Sequence, residues 1–319
     1  MTRCAKSNLQ ITFLWLVVLA IGGCRAAPVS KPARFEFSKP QMGAPFRIVL
    51  YAPDASHAEA AANAAFQRVE ALNQIFSDYE TDSELNALSR TAGSGKTVRV
   101  SHDLWRILVQ AQRFAELSDG AFDVTVGPCV NLWRKARRER KLPDSARLAE
   151  ALQSVGHKKL ELKNKTARLL APDMKLDLGG IAKGYAADEA MKVLKKHGIL
   201  GALVGAAGDI AVSDPPPAKS GWQIELGSST NVVSLSNAAV STSGDAFQNL
   251  EINGVRYSHI VDPRTGIGIT NQLMVSVIAP DSTTADALAT AISVLGPEKG
   301  NALAKRFRGV SVHYGDTKR

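Results

Sequence analysis

Cysteine, histidine and long apolar runs are all scarce in this chain, and each scarcity excludes something. Three cysteines in 319 residues rule out a disulfide-stapled scaffold. Six histidines, with no pair at metal-ligand spacing, count against a zinc site. The leading apolar stretch, Ile11 to Ile21, rises only about 16 Å as a helix, too short to remain as a membrane span. There is no Gly-x-Ser-x-Gly elbow, no cysteine in a nucleophile's setting, no nucleotide-binding P-loop and no complete Gly-x-Gly-x-x-Gly. A chain so short of nucleophiles points to one that arrives on a substrate. At 45% hydrophobic and 22% charged residues, the composition is that of an ordinary globular protein. Disorder, collagen-like repeats, coiled coil and a polytopic membrane protein are excluded.

What stands at the N-terminus is ordered by type. Arg3 and Lys6 precede the apolar stretch and Gly22-Gly23-Cys24 follows it, the basic, apolar, small order of an export signal. Residues 1–23 therefore read as a signal peptide, leaving 319 − 23 = 296 residues and a formal charge of +7 rather than +9. Cys4 departs with the signal, and Cys24 and Cys129 are enough for one disulfide. Alternatively, Ile21-Gly22-Gly23-Cys24 resembles a bacterial lipobox, whose cysteine is acylated and becomes the mature N-terminus. Several acyl chains on one residue anchor stably, at roughly 0.8 kcal/mol per buried CH₂. On that reading Cys24 is the lipidation site and Cys129 stays a free thiol. The protein then faces the periplasm from a membrane, the outer rather than the inner, because Arg25 is not the aspartate associated with inner-membrane retention. Residues 24–38 read as a tether and 39–315 as a single domain.

The excess of positive charge is densest in Arg134-Lys135-Ala136-Arg137-Arg138-Glu139-Arg140-Lys141. No nucleic-acid signature accompanies it, so it reads as a solvated face, one that leans on anionic lipid or an acidic partner. Apolar spacing predicts helices over 55–75, 101–117 and 144–155, the second opened by Ser101 and the third closed by Gly156. Short strands follow at 159–162 and 166–170, then a strand at 175–178 that feeds Gly179-Gly180 and a helix over 181–197. From 201 to 278 the pattern is of short strands, with a hairpin at Asn253-Gly254. Helix returns at 283–295 and 299–307. Helices and mostly antiparallel strands in irregular order predict an α+β fold, sheets flanked by helices.

Three segments carry chemistry. In Lys175 to Tyr185 a strand runs into two glycines and a helix with Lys183 in its first turn, which suits a phosphate. Asp177 there could order a ribose, a flavin edge or a metal, or the segment is an ordinary strand-to-helix turn. In Asp281 to Gly296, Asp286 and Thr290 share a helix face among alanines, so the carboxylate is buried and needs a partner. Carboxylate plus hydroxyl suits magnesium. The other reading has Asp286 favouring the helix N-terminus and Thr290 bonding back to a carbonyl. In Tyr257 to Gly266, His259 is a candidate general base or a half-buried structural histidine. Thr242-Ser243-Gly244-Asp245 and Gly205 to Asp209 are turns or phosphate and flavin contacts, and Tyr79 and Phe122 could stack on a planar ring or belong to the core.

Taken in order, these segments resemble the ApbE family, the FAD:protein FMN transferases. The resemblance rests on Met42-Gly43; Phe76-Ser-Asp-Tyr79 with Asp82 to Leu85; Gly120-Ala-Phe-Asp123 with Val126-Gly-Pro and Asn131-Leu-Trp133; and Asp177-Leu-Gly-Gly-Ile-Ala-Lys183-Gly. It continues through Gly208-Asp209, Thr242-Ser-Gly244, His259 to Gly266 and Ala285-Asp286-Ala-Leu-Ala-Thr290, from about residue 40 to 296. It implies an ApbE-like fold of two intimate lobes, with FAD as substrate and Mg²⁺ held between them. The implied reaction joins FMN from FAD to a threonine or serine of an acceptor flavoprotein, such as a subunit of a redox-driven ion pump, and releases AMP. Met42, Tyr79, Ala121, Phe122, Asp123, Asp177, Lys183, Thr242 and Ile260 match positions that hold FAD. Gly180, Asp286 and Thr290 match the metal site, and His259 is the candidate that activates the acceptor hydroxyl. A magnesium-dependent FAD pyrophosphatase and a flavin-binding lipoprotein without catalysis are the rival readings. Two departures stand out: Gly205 and Ala207 replace an expected asparagine and glycine, and the run from Arg134 stands where the family often has Gly-Phe-Gly.

Overall fold

The computed structural model describes residues 1–2, 31–227, 231–244 and 249–316. Cys24, Arg25 and Asp245, and with them the lipidation site and signal, lie outside the described residues. The chain opens with β1 (Ala33–Gln41) and β2 (Ala44–Ala52), joined by a tight turn in which Met42 takes a φ of 50° and Gly43 one of 71°. Then come α1 (Ala55–Phe76), α2 (Glu84–Ser89), β3 (Val98–Arg99), α3 (His102–Leu117), α4 (Gly127–Glu139), α5 (Ser145–Gln153), β4 (Leu160–Lys163) and β5 (Thr166–Leu169). The second half runs through α6 (Ala182–Lys196), β6 (Ala202–Ala206), β7 (Asp209–Val212), β8 (Trp222–Glu225), β9 (Val232–Leu235) and β10 (Ala238–Ser243). It ends with β11 (Asn249–Ile252), β12 (Val255–Ser258), β13 (Leu273–Ala279), α7 (Ser282–Ala304) and β14 (Ser311–Asp316).

One sheet organises the molecule. Its seven strands lie in the order β1-β2-β6-β7-β10-β13-β14, every neighbouring pair antiparallel. Alternation along each strand gives it two buried faces. Ile48, Leu50, Val204, Ala211, Ala239 and Val277 point into the main core, which α1, α6 and α7 cover with Leu72, Ala186, Ala190, Leu288 and Ile292. Their neighbours Val49, Val212 and Val240 point the other way, against Trp222, Ile224 and Leu226 of the β8–β9 hairpin and its end. Each fully buried leucine or isoleucine here contributes about 1.5–3 kcal/mol over leaving it in water. A third, smaller core joins Cys129, Trp133 and Ala136 of α4 to Val155, Leu250 and Val261.

Helix starts follow side-chain chemistry. Asp54, Ser83, Ser101, Asp144 and Asp281 each accept a backbone N–H from the first turn of the helix that follows. The helices expected over 283–295 and 299–307 are the two arms of α7, which breaks at Gly296 (φ 73°) before Pro297.

Three expectations change. Residues 33–38, read as tether, are in β1, whose Phe35 and Phe37 pack on the main core, so the folded body begins before residue 39. Residues 175–178 form no strand among the named elements. They run extended, tied by a single parallel bridge from Lys175 to Val126 and by the Asp177 N–H to the Val124 carbonyl (2.8 Å). The basic run is helical: α4 hides an apolar stripe of Cys129, Trp133 and Ala136 under its arginines. From Pro32 onward the chain is one compact unit, since the main core runs continuously from the sheet to α3 and β5.

Candidate functional site

The turn before α6 and the first turns of α7 meet closely. Gly184 makes this possible, because a methyl group there would stand 2.3 Å from the Ser282 carbonyl oxygen and 2.8 Å from Asp286 Cβ. The Gly184 N–H donates to Asp286 Oδ2 at 3.0 Å, and the Asp286 residue is only 3% exposed. Asp281, not Asp286, caps α7, accepting the Thr284 N–H at 2.8 Å. Asp286 is therefore turned to its neighbour helix, and the reading of it as a helix-end charge is set aside. One turn further on, Thr290 faces Gly180: a methyl at Gly180 would lie 2.9 Å from Thr290 Oγ1 and 3.3 Å from Phe122 Cε2. The backbone of Gly180, the Thr290 hydroxyl and the Asp286 carboxylate thus line one small region.

Lys183 reaches into the same region. Its ammonium lies 3.3 Å from Asp209 Oδ2 and donates to the Gly179 carbonyl at 3.3 Å. Asp209, 2% exposed, also accepts from the Ser241 hydroxyl at 2.5 Å. Burial and the Asp209 charge push the Asp286 carboxyl up to about 7, against the pull of Lys183 and the Gly184 N–H. Lys183 is held above its ordinary value: burial opposes its charge, but Asp209 and Asp286 outweigh burial. Two acids beside one ammonium carry net negative charge once Asp286 ionises, and a divalent cation favours that ionised form. The donor set of Asp286, Thr290 and the Gly180 carbonyl is all oxygen and fits magnesium. Among the described residues no group of three or more His, Cys, Asp or Glu could hold a metal, so a cation here draws on backbone and hydroxyl oxygens.

A second cluster lies on the outer side of the same turn. Asp177 Oδ1 accepts the Gly179 N–H at 2.7 Å, and its Oδ2 accepts from Arg134 Nη2 at 3.0 Å. The other guanidinium nitrogen of Arg134 binds Asp78, and the guanidinium carbon sits 4.3 Å from the centroid of the Tyr79 ring. Tyr79 is 73% exposed. Burial and the neighbouring Asp78 push the Asp177 carboxyl up, while Arg134 pulls it down.

The remaining expected residues divide. Ala121 and Phe122 are buried beside Gly180, and Phe122 meets Phe114 edge to face at 6.1 Å. The segment from His259 to Gly266 docks on α4 through the Trp133 indole N–H, which donates to the Gly266 carbonyl at 2.7 Å. Ile260 is buried there and His259 is half-buried. Met42, in the β1–β2 turn, is at the same end of the large sheet as the Ala207-Gly208 turn, since Phe46 pairs with Ala206. Two more bond within the chain. The Asp123 carboxylate is already engaged, accepting the Thr125 N–H (2.8 Å) and hydroxyl (2.7 Å) and lying 3.6 Å from His157 Nδ1. Thr242 follows Ser241, and strand alternation turns its hydroxyl to the opposite face of the sheet, 2.8 Å from Ser276 Oγ. The residues alone gave no sign of Arg134 as a site residue, and they offered Asp209 as a turn or a phosphate and flavin contact rather than as the partner of Lys183. The signal for Asp209 was a glycine and an acid following an apolar strand.

The sequence from 42 to 314 matches the ApbE family. The FAD:protein FMN transferase of Treponema pallidum (strain Nichols) is 34% identical over 94% of this chain and 89% of its own length. That of Haemophilus influenzae is 31% identical over 91% and 89%. The apo crystal structure of the Pseudomonas stutzeri flavinyl transferase ApbE superposes with a TM-score of 0.81 at 28% identity, over 92% of this chain and 94% of that one.

Proposed function

The chain belongs to the ApbE family, and from that membership we propose that it is an FAD:protein FMN transferase. It takes FAD, joins FMN by a phosphoester to a threonine or serine of an acceptor flavoprotein, and releases AMP. The observation that carries this reading is the convergence of the Gly180 backbone, Thr290 and Lys183 on the buried Asp286. Phosphoryl transfer needs little covalent help from a protein and much positioning and charge neutralisation. Mg²⁺, held by Asp286, Thr290 and the Gly180 carbonyl, would supply Lewis-acid neutralisation of the pyrophosphate oxygens.

The chain's own residues do the rest. Lys183 brings a fixed positive charge to the start of α6, where free backbone N–H groups already favour an anion. Asp209 and Ser241 hold that ammonium in place. Tyr79 offers an exposed aromatic face for a planar ring. His259 takes the proton of the incoming hydroxyl, which explains why the chain has no nucleophile of its own. Export as a lipoprotein acylated at Cys24, working in the periplasm, belongs to the same reading and rests on the N-terminal sequence.

The test is incubation with FAD, Mg²⁺ and an acceptor domain, followed by in-gel fluorescence of the denatured acceptor and quantification of AMP. Covalent flavin and AMP in equal amounts are expected. AMP with free FMN and no labelled acceptor would make the protein a pyrophosphatase instead. Mass spectrometry of the protein from its native host checks the anchor: an unmodified Cys24, or a mature N-terminus elsewhere, removes it.

A further inference from the structure

Arg134, in the basic run, is withdrawn from solvent at the site. Its side chain is 17% exposed, against 49% for Lys135 beside it. The helix that carries it is anchored independently, by buried Cys129 and Trp133 and by the Trp133 bond to Gly266. The loop that carries Asp78 and Tyr79 is fixed in its own way. Ser77 Oγ accepts the N–H groups of Tyr79 (3.2 Å) and Glu80 (3.1 Å), and its carbonyl accepts the Ser83 hydroxyl at 2.5 Å. Two rigid pieces from distant parts of the sequence therefore meet at one guanidinium. Its planar fork bonds a carboxylate on each side, Asp78 and Asp177, while its face covers one side of the Tyr79 ring. An ammonium has no such plane and cannot do all three at once.

Building on the function proposed above, we propose that Arg134 is a positioning residue for the flavin dinucleotide: it backs one face of Tyr79, so that the open face receives a planar ring of the substrate, and it offsets part of the charge of Asp78 and Asp177 beside an anionic pyrophosphate. The ring is held by a contact that the substrate does not have to displace, because Tyr79 remains 73% exposed with Arg134 in place. Without the arginine, two carboxylates would face each other and the ligand's phosphates, and the aromatic side chain would swing freely. Arg134 touches no reacting atom, so its effect falls on binding rather than on the chemical step. The binding ring is the isoalloxazine or the adenine, and half-ligands separate them.

The experiment compares the parent with Arg134→Gln and Arg134→Lys in the whole folded chain. It measures FAD, FMN and AMP binding by titration at several salt concentrations, and transfer kinetics with an acceptor. For Arg134→Gln the KM and the dissociation constant for FAD should rise about tenfold with kcat changed less than about twofold. The same loss should fall on FMN if Tyr79 takes the isoalloxazine, or on AMP if it takes adenine. Arg134→Lys should recover the charge, and with it the parental salt dependence, but not the full affinity. If Arg134→Gln folds poorly, Tyr79→Ala serves: it alters an exposed residue, should weaken FAD by a similar factor, and should make a further Arg134→Lys change nearly silent. Unchanged FAD, FMN and AMP affinity in Arg134→Gln, with the parent binding and transferring normally, overturns the positioning role and leaves the proposed function standing. A parent that binds no FAD overturns both.

Discussion

The inner and outer halves of the site are built in opposite ways. The inner half sets Asp286, Thr290, Lys183, Asp209 and Ser241 on α6, α7 and two central strands, with Asp286, Asp209 and Ser241 buried and each charge held by backbone or by a neighbour on regular structure. The outer half hangs Tyr79 and Asp78 on a loop and fixes them with one arginine from α4. Burial gives the inner charges strength, because electrostatic interactions gain where water is excluded, and it makes every partner costly to remove. Exposure gives the outer half room for a large ring at a small cost in stability. One half is suited to stabilising charge in a reaction, the other to holding what is to react.

The contrast breaks first, if it breaks, at Asp286. Asp286→Ala should lower FMN transfer by about a thousandfold or more while the protein still folds, since metal-derived charge stabilisation is worth several kcal/mol and each 1.4 kcal/mol is tenfold. Thr290→Ala should act in the same direction by about tenfold, a neutral hydroxyl being a weaker ligand, and should raise the Mg²⁺ needed for half-maximal rate. Parental transfer by Asp286→Ala in limiting Mg²⁺ would show that the inner half is only structural.

Next in size is Lys183→Met, which strips the ammonium from Asp209 and Asp286. Urea unfolding should show a loss of about 2–3 kcal/mol, less than for a wholly buried pair because the Lys183 side chain is 26% exposed. An equally stable variant would mean that the two acids are protonated or solvated and the pairing counts for little.

A pH series sharpens the same half. An acid whose carboxyl is pushed up to about 7 in the fold, from an ordinary 3.8, keeps its proton between those values while the unfolded chain releases it. Stability should therefore fall as pH rises from about 4 to 7 in metal-free buffer, and the Asp286→Asn variant should lose that part of the slope. Melting temperatures at pH 4.5 and 7.5 in chelator decide it: parallel slopes in parent and variant would refute the assignment to Asp286.

The smallest effect belongs outside both halves. Cys129 is the free cysteine among the described residues; it is buried against the third core, and burial pushes its thiol up to about 11. Cys129→Ser should fold, bind FAD and transfer flavin nearly as the parent does, at a cost of about 1 kcal/mol for a buried hydroxyl. A Cys24–Cys129 bridge in non-reducing peptide maps would contradict this and the acylation of Cys24 together.

How much of this could be read from the residues follows the range of the interactions. The helix start at Ser101, the Asn253-Gly254 hairpin and the break near Gly296 are local, and the residues showed them directly. The shared face of Asp286 and Thr290, one helical turn apart, was also legible, whereas Gly180 came from the family resemblance. Arg134 was not, since its partners Asp78 and Asp177 lie 56 and 43 residues away and its own neighbours look like a solvated charge run. The same charges masked the stripe of Cys129, Trp133 and Ala136 that makes α4 a helix. The facing of Thr242 was out of reach for a different reason: only the pairing of β10 with β7 and β13 says which of Ser241 and Thr242 faces the helices.

That pairing has a consequence for how errors are caught while the chain folds. Ala239 and Ser241 face the helices and Val240 faces the β8–β9 hairpin, so a slip of β10 by one residue would exchange the two sets. Val240 would then be offered to Asp209 and Lys183, and Ser241 to Trp222 and Ile224. A misaligned sheet thus forfeits its apolar packing and strands a buried acid without its hydroxyl at the same moment. The residues that prepare the site for an anion also act as a key that admits only one alignment of the central strands, so a chain that has folded at all has its inner site assembled.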